Sequence, residues 1–411
     1  MVTQDVRSGF ARRWLMGLLI FALMLSSSAV SALKTAHAAD TPAFVIPALS
    51  DEHASSPLPN VIVIGTGGTI TGKVADDDPT NFQNYRAGTY LIADMVDQLP
   101  NKDKIADVTA FQFGNKGSGS YTIADLYDLS LVVDEALNIY DAAVVTTGTD
   151  TMEEIAYFLD LTVRSEKPVV VTGAMRPWDA LGTDAPANLY QAIKVAASGK
   201  TKGFGTVIML NDVIHAAREV TKSNSHRLDT FETPMLGALG YVDDAGVRIY
   251  RLNARAALAG TDEWATPFDL KKISKESLPI VEIVYNYQEA GGGAIRGFVE
   301  EGAKGIVTAG TGAGGISSKM SQARAEAIKQ GVIFVSTTRT GSGSIYGEGE
   351  GIIAGDNLNP QHARMMLLLS LAFSDDFDTI KSWFKTYGAL EYPANVAKAA
   401  EQKTITGRVS R

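Results

Sequence analysis

Short, unbroken runs of β-branched and apolar residues, each followed by a helical pattern, constrain this chain more than any other feature. Residues 61–64, 142–146, 168–172 and 206–210 are such runs. A strand that is apolar on both faces fits the interior of a parallel sheet covered by helices on both sides. Between the runs, Leu126, Leu129, Val133 and Leu137 recur on one helical face, as do Ile155, Phe158, Leu159 and Thr162. Strands alternating with helices predict an α/β fold with mainly parallel sheets.

The alternation fades between residues 252 and 278, a charged stretch without a long apolar run, and resumes at 280–285, 305–308 and 332–336. Asn359-Pro360 reads as a helix start, with Asn as N-cap, Pro in the first turn and an apolar run behind them. The expected organisation is a larger N-terminal α/β domain over 58–251, a linker over 252–278 and a smaller C-terminal α/β domain over 279–411. Residues 1–38 read as a signal peptide: Arg12 and Arg13, an apolar run from Trp14 to Leu25, and a small-residue cleavage site at Ala36-His37-Ala38. A leader of this kind predicts export to the periplasm, with no membrane association after cleavage.

Net charge is -9 and the chain has no cysteine. The acidic balance argues against nucleic acid as a partner, and thiol catalysis is excluded. The five histidines form no metal-binding pattern, so neither a metal nor a cofactor is expected.

In parallel α/β sheets, ligands bind beyond the carboxyl ends of the strands. Three such ends carry unusual loops: Gly65-Thr66-Gly67-Gly68-Thr69, Thr146-Thr147-Gly148-Thr149-Asp150-Thr151, and Ala309-Gly310-Thr311-Gly312-Ala313-Gly314-Gly315. The first nearly spells a phosphate loop with Gly67, Gly72 and Lys73, but Val74 stands where a hydroxyl is needed for Mg²⁺. The third matches a dinucleotide fingerprint at Gly310, Gly312 and Gly315, a pattern of low specificity alone. In the second, Thr151 and Glu154 have the spacing of a capping box. Thr149 and Asp150 then sit between a strand end and a helix start, where both can equally be plain cap residues.

Together these segments resemble the bacterial L-asparaginase family, including its asparaginase-glutaminase members. The resemblance is carried by Thr66-Gly67-Gly68-Thr69-Ile70, by Gly148-Thr149-Asp150-Thr151-Met152-Glu153-Glu154, and by Gly173-Ala174-Met175-Arg176-Pro177. Val220-Thr221-Lys222, Val284-Tyr285-Asn286-Tyr287 and Leu358-Asn359-Pro360 extend it to the C-terminal part in the family's order. It implies hydrolysis of asparagine, with glutamine as a possible second substrate, and a homotetramer with active sites between subunits. It also implies a nucleophile at Thr69, a second group of Thr149, Asp150 and Lys222, and a substrate-binding serine at Ser118. Tyr85 is the candidate mobile-loop tyrosine. Glu348 and Glu350 are candidates for a substrate-binding acid donated by a neighbouring subunit.

The chemistry suits these roles. A threonine hydroxyl is a weak nucleophile that needs a neighbour to take its proton, and Tyr85 or Lys222 are candidates. Asp150 suits a substrate ammonium group; Ser118 suits its carboxylate. The sequence departs from the family at Thr147, where many relatives have histidine, and at Gly119, where relatives often have a longer polar side chain. Three other readings remain on the residues alone: a non-catalytic periplasmic amino-acid-binding protein, a serine amidase and a nucleotide-dependent enzyme. A serine amidase would need a Gly-x-Ser-x-Gly elbow, and none occurs.

Overall fold

The computed structural model describes residues 44–389 and residue 391. The expected signal peptide over 1–38 lies outside the described residues, as does the end of the chain. In chain order the first part carries β1 (Asn60–Gly67), a small hairpin of β2 (Lys73–Val74) and β3 (Tyr85–Arg86), then β4 (Asp107–Lys116) and β5 (Ala142–Thr146). These are followed by β6 (Val169–Thr172), β7 (Thr206–Leu210), β8 (Val213–Ala216), a second small hairpin of β9 (Thr221–Lys222) and β10 (Phe231–Glu232), and β11 (Gly240–Asp243) with β12 (Gly246–Ile249). One sheet has the order β12-β11-β8-β7-β6-β5-β1-β4. Strands β7, β6, β5, β1 and β4 run parallel, while β8, β11 and β12 join antiparallel. The last part holds a smaller, all-parallel sheet of β13 (Val281–Tyr285), β14 (Gly305–Gly310), β15 (Ile333–Thr338) and β16 (Ile352–Ala354).

The apolar runs are strands because both of their faces are covered. Val61, Ile62, Val63 and Ile64 are fully buried. Ile62 and Ile64 pack with Leu129 and Val133 of α1 (Ile123–Ile139) and with Ile155, Phe158 and Leu159 of α2 (Met152–Thr162). Val61 and Val63 face the other way, onto Leu189 and Ile193 of α3 (Ala185–Ala197). Each such side chain contributes on the order of 1.5–3 kcal/mol by leaving water. In the C-terminal part, α4 (Ser318–Ile328) and α5 (Pro360–Phe373) cover the smaller sheet.

The helix starts agree with the sequence in one case and not in the other. α5 opens as expected: Asn359 Oδ1 accepts the His362 N–H at 2.7 Å and Pro360 fills the first turn. The capping box expected at Thr151 and Glu154 is absent. Thr151 has φ -121 and ψ 20, not the extended backbone that swings an N-cap side chain over the first turn, and its hydroxyl makes no capping bond. Its N–H is taken instead by Ser118 Oγ at 3.3 Å, and Glu154 lies 3.6 Å from Arg364. A capping box does form at the start of α1, between Thr122 and Asp125.

The stretch 252–278 contains no strand and four single turns of 3-10 helix. It is nonetheless packed. Trp264, Phe268 and Leu270 are buried, the Arg255 guanidinium stacks 4.3 Å over the Trp264 ring, and Phe268 meets Trp383 and Phe373. The glycine-rich loop after β14 closes on itself, with Thr311 and Gly315 exchanging backbone hydrogen bonds at 2.9 Å. A Cβ at Gly310 would stand 2.4 Å from the Gly314 backbone, so the tight turn itself accounts for that glycine.

Candidate active site

β1 and β5 are neighbours, with Gly65 opposite Thr146 at their carboxyl ends. The chain leaves β1 for β4 on one side of the sheet order and leaves β5 for β6 on the other. A crevice opens where neighbouring connections diverge in this way.

The two loops at this crevice are pressed together, backbone against backbone. Gly67 and Gly68 have φ of 101 and 87, a region that favours glycine. A Cβ on Gly68 would lie 2.2 Å from the Gly148 nitrogen, and one on Gly67 would lie 2.4 Å from the Lys116 nitrogen. Thr66 Oγ1 holds the approach by donating to the Thr146 carbonyl at 2.8 Å, and the Gly68 N–H ties the first loop to β4 through the Lys116 carbonyl at 3.0 Å. Thr69 and Thr149 are thereby brought to the wall of one cavity of about 190 Å³, together with Tyr85, Asp150 and Lys222.

Each of these side chains comes from a different element. Thr69 opens a single 3-10 turn after β1, and its Oγ1 lies 2.7 Å from the Tyr85 hydroxyl, either oxygen being able to donate. Tyr85 stands on the hairpin strand β3, opposite Val74, whose N–H is anchored by Asp179 Oδ1 at 2.9 Å. Lys222 comes from β9, opposite the buried Phe231. Its Nζ donates to Thr149 Oγ1 at 3.0 Å and to Asp150 Oδ1 at 2.7 Å. The Asp150 side chain is 83% exposed, so this ion pair adds little to stability, and the carboxylate remains open to a ligand.

Other candidates are not on this wall. Ser118 is buried beside the second loop, where a Cβ on Gly148 would come within 3.0 Å of its Oγ. Space around Gly119 is open, with no atom within 4 Å of an added Cβ. Thr147 is fully buried and its N–H bonds to the Thr172 carbonyl. Within a single chain, neither Glu348 nor Glu350 lines the cavity. Glu348 pairs with Lys381 at 2.6 Å and Lys385 at 3.7 Å, which holds its carboxyl below the usual range.

Five further wall residues were not singled out as site residues from the sequence: Phe82, Gln83, Met175, Ser225 and His226. Phe82 lies under the Arg176 guanidinium at 4.7 Å, and the loop holding Met175 is fixed by Asp184, which accepts the Met175 and Arg176 N–H groups. For Met175, the segment Gly173-Ala174-Met175-Arg176-Pro177 after a strand end was the one signal in the sequence. The others lie in irregular segments with no periodic pattern.

Burial sets the titration of the groups behind the site. Glu153, one turn below Asp150, has its carboxyl pushed up to about 7 by burial, against hydrogen bonds from Thr221, Asn359 and the Lys222 backbone. His362 is pushed down to about 3 by burial, with the neighbouring Arg218 charge acting in the same direction.

A mostly parallel α/β protein with a hydroxyl, lysine and carboxylate cluster at its strand ends has the elements of nucleophilic catalysis, and comparison with known proteins places it. The family described as Asparaginase, N-terminal matches residues 60–255, and that described as Glutaminase/Asparaginase C-terminal domain matches residues 280–384. The chain is 40% identical over 337 residues to L-asparaginase 2 of Bacillus subtilis, covering 80% of this chain and 87% of that protein. It is 34% identical over 336 residues to a probable periplasmic L-asparaginase of Haemophilus influenzae, covering 80% and 93%. The crystal structure of a probable cytoplasmic L-asparaginase from Campylobacter jejuni superposes with a TM-score of 0.75 at 36% identity, covering 80% of this chain and all of that one. The chain belongs to the L-asparaginase family and is an asparaginase-type amidohydrolase.

Proposed function

We propose that the enzyme hydrolyses L-asparagine to L-aspartate and ammonia through an ester on Thr69. The observation that carries this reading is the 2.7 Å contact between Thr69 Oγ1 and the Tyr85 hydroxyl, in the same cavity as Lys222 and Thr149. Thr69 Oγ attacks the side-chain amide carbon. Its proton passes to the Tyr85 oxygen as the tyrosine proton passes to the leaving nitrogen, and ammonia departs. A water then attacks the aspartyl ester and returns a proton to Thr69, releasing aspartate. Lys222 donates to Thr149 Oγ1, which turns the Thr149 proton away from Lys222 and toward the cavity. The exposed Asp150 carboxylate receives the substrate ammonium group, and Ser118, buried behind the second loop, donates a hydrogen bond from its hydroxyl to the α-carboxylate.

Glutamine is a second substrate in this reading, in keeping with the description of the C-terminal family match. The domain boundaries, export through the leader and function in the periplasm, and assembly into a homotetramer whose neighbouring chain supplies Glu348 or Glu350, belong to the same proposal. Steady-state ammonia release with asparagine and glutamine, for the wild type and Thr69→Ala, tests it. Thr69→Ala is expected to fold and to lose at least about 1000-fold in kcat, because no ester can form. Near wild-type turnover in that variant ends the mechanism.

A further inference from the structure

We propose that Tyr121 is a positioning residue, which holds the Thr69 loop at its working distance from the Ser118 turn by donating a hydrogen bond from its hydroxyl to the Thr66 carbonyl. The inference rests on the roles proposed for Thr69 and Ser118 in turnover. Thr66 stands near the end of β1, three residues before Thr69, and is buried. There the ladder to β4 is interrupted: the register jumps from Gly65 opposite Gln112 to Gly67 opposite Lys116. A buried carbonyl at such a break needs a donor, and the Tyr121 hydroxyl bonds to it.

Two other bonds pin the same piece of chain, from Thr66 Oγ1 to the Thr146 carbonyl and from the Gly68 N–H to the Lys116 carbonyl. Neither of them reaches the Ser118 turn. Tyr121 does, because it follows the single 3-10 turn Ser118–Ser120 and its N–H bonds to the Ser118 carbonyl at 3.1 Å. The ring is itself fixed. Lys116 Nζ lies 4.3 Å from the ring centroid, over its face, and 3.1 Å from Asp125 Oδ2. Asp125 closes the capping box with Thr122, the next residue after Tyr121. The Phe113 ring packs at 6.2 Å between centroids. β4 leaves room for the hydroxyl, since a Cβ on Gly114 would stand 2.3 Å from its oxygen.

A phenylalanine would fill the same space with its ring; what the hydroxyl adds is the bond to Thr66. Burial pushes the phenol up to about 12, so it keeps its proton and can donate at neutral pH. In the proposed mechanism Asp150 and Ser118 hold the α-groups of the substrate while Thr69 meets its amide carbon. A brace between the serine's turn and the nucleophile's loop then sets the distance that attack must cross more than it sets affinity. Misplacement by 1 Å at such a point costs up to about 100-fold in rate.

The test compares Tyr121→Phe, Gly114→Ala, the double variant and Thr69→Ala with the wild type, in kcat and KM for asparagine. Tyr121→Phe removes the hydroxyl alone. Gly114→Ala keeps the hydroxyl but drives it from Thr66, because the obstacle to the new Cβ is the end of a side chain. Each is expected to lower kcat at least about tenfold with KM within about twofold. The double variant should lie within about twofold of the slower single variant, because both changes act through one bond. A Tyr121→Phe enzyme with wild-type kcat, or with a loss in KM alone, overturns the inference, provided Thr69→Ala is inactive. Losses that multiply to about 100-fold or more in the double variant overturn it as well, since they mark two independent injuries. An active Thr69→Ala instead shows that the nucleophile itself was misassigned. If Tyr121→Phe does not fold, a Gly114→Ala enzyme with wild-type kcat overturns the inference equally.

Discussion

Gly68→Ala isolates the close approach on which the site depends. The added Cβ would stand 2.2 Å from the Gly148 nitrogen and 2.3 Å from its Cα. That is about 1.2 Å short of the 3.4 Å at which ordinary contact begins, and the obstacle is backbone, which cannot rotate away as a side chain can. The Thr69 loop and the Thr149 loop must therefore separate by about 1 Å. A displacement of that size between reacting groups costs about 100-fold in rate, or about 2.7 kcal/mol of barrier. The backbone at φ 87 and ψ -168, a region open essentially to glycine alone, adds a further cost of roughly 1–3 kcal/mol to folding. The expected result is kcat lower by about 100-fold with a fall of several degrees in Tm. Gly117→Ala is the control: its φ is -63, nothing lies within 4 Å of the new Cβ, and both kcat and Tm should stay close to wild type. Ammonia release and thermal melts measure both. A Gly68→Ala enzyme with kcat within threefold of wild type would show that loop apposition does not set the reacting geometry.

Lys222→Met and Asp150→Asn should fail in different ways. The lysine change lowers kcat at nearly constant KM, whereas the aspartate change also raises KM, because it removes a carboxylate from the ammonium position; equal, purely KM-type losses in both would contradict the assignments. The acid side of stability should depend on His215, which burial pushes down to about 4 and whose Nδ1 lies 2.8 Å from Thr233 Oγ1. Below its unfolded value of 6.5 the unfolded chain takes up a proton that the folded chain refuses, so this contribution is present above pH 6.5 and lost as pH falls toward 4. The loss is at most about 3 kcal/mol. Glu153 and Asp134, pushed up to about 7 and about 6, act in the opposite sense, losing stability as pH rises through their shifted range. The wild-type profile mixes these effects, so the comparison is His215→Asn against wild type. Denaturant unfolding should show the variant gaining on the wild type at acid pH, and an equal difference at both ends of the range would refute His215 as the source of the acid sensitivity.

What the sequence made legible was whatever depends on repetition or on one unusual residue. The runs at 142–146 and 206–210 became β5 and β7 with the same limits, because full burial leaves no other use for such runs. Asn359-Pro360 was readable because it restricts the backbone by itself. The Thr151 box failed because a neighbouring turn supplied Ser118 Oγ to the N–H at the helix start, a competitor 33 residues away. The packing of Trp264 and Phe268 was hidden because single bulky residues in 3-10 turns have no period to detect. Tyr85 was named from a resemblance; its place beside Thr69 is set by the β2–β3 pairing and by Asp179, more than a hundred residues from Val74 in the chain.

The same distinction explains which parts of the site tolerate change. The closest approach of the two loops is backbone on backbone, Gly68 against Thr147 and Gly148, and any side chain on Gly68 acts as a wedge between them. The contacts that place the Lys222 ammonium run through side chains whose acceptors are replaceable one at a time, at Asp150 and Thr149. Loss of a loop glycine should therefore injure every step that needs Thr69 and Thr149 together. Loss of a Lys222 partner should injure proton handling while leaving the cavity its shape. Asp150 is the exception, because in the proposed mechanism it also receives the substrate: its carboxylate is the exposed end of a pair whose other end is 14% exposed. Under the proposed mechanism, a substrate ammonium group that displaces Lys222 from Asp150 would leave the lysine bonded to Thr149, so substrate binding would direct Lys222 to that hydroxyl.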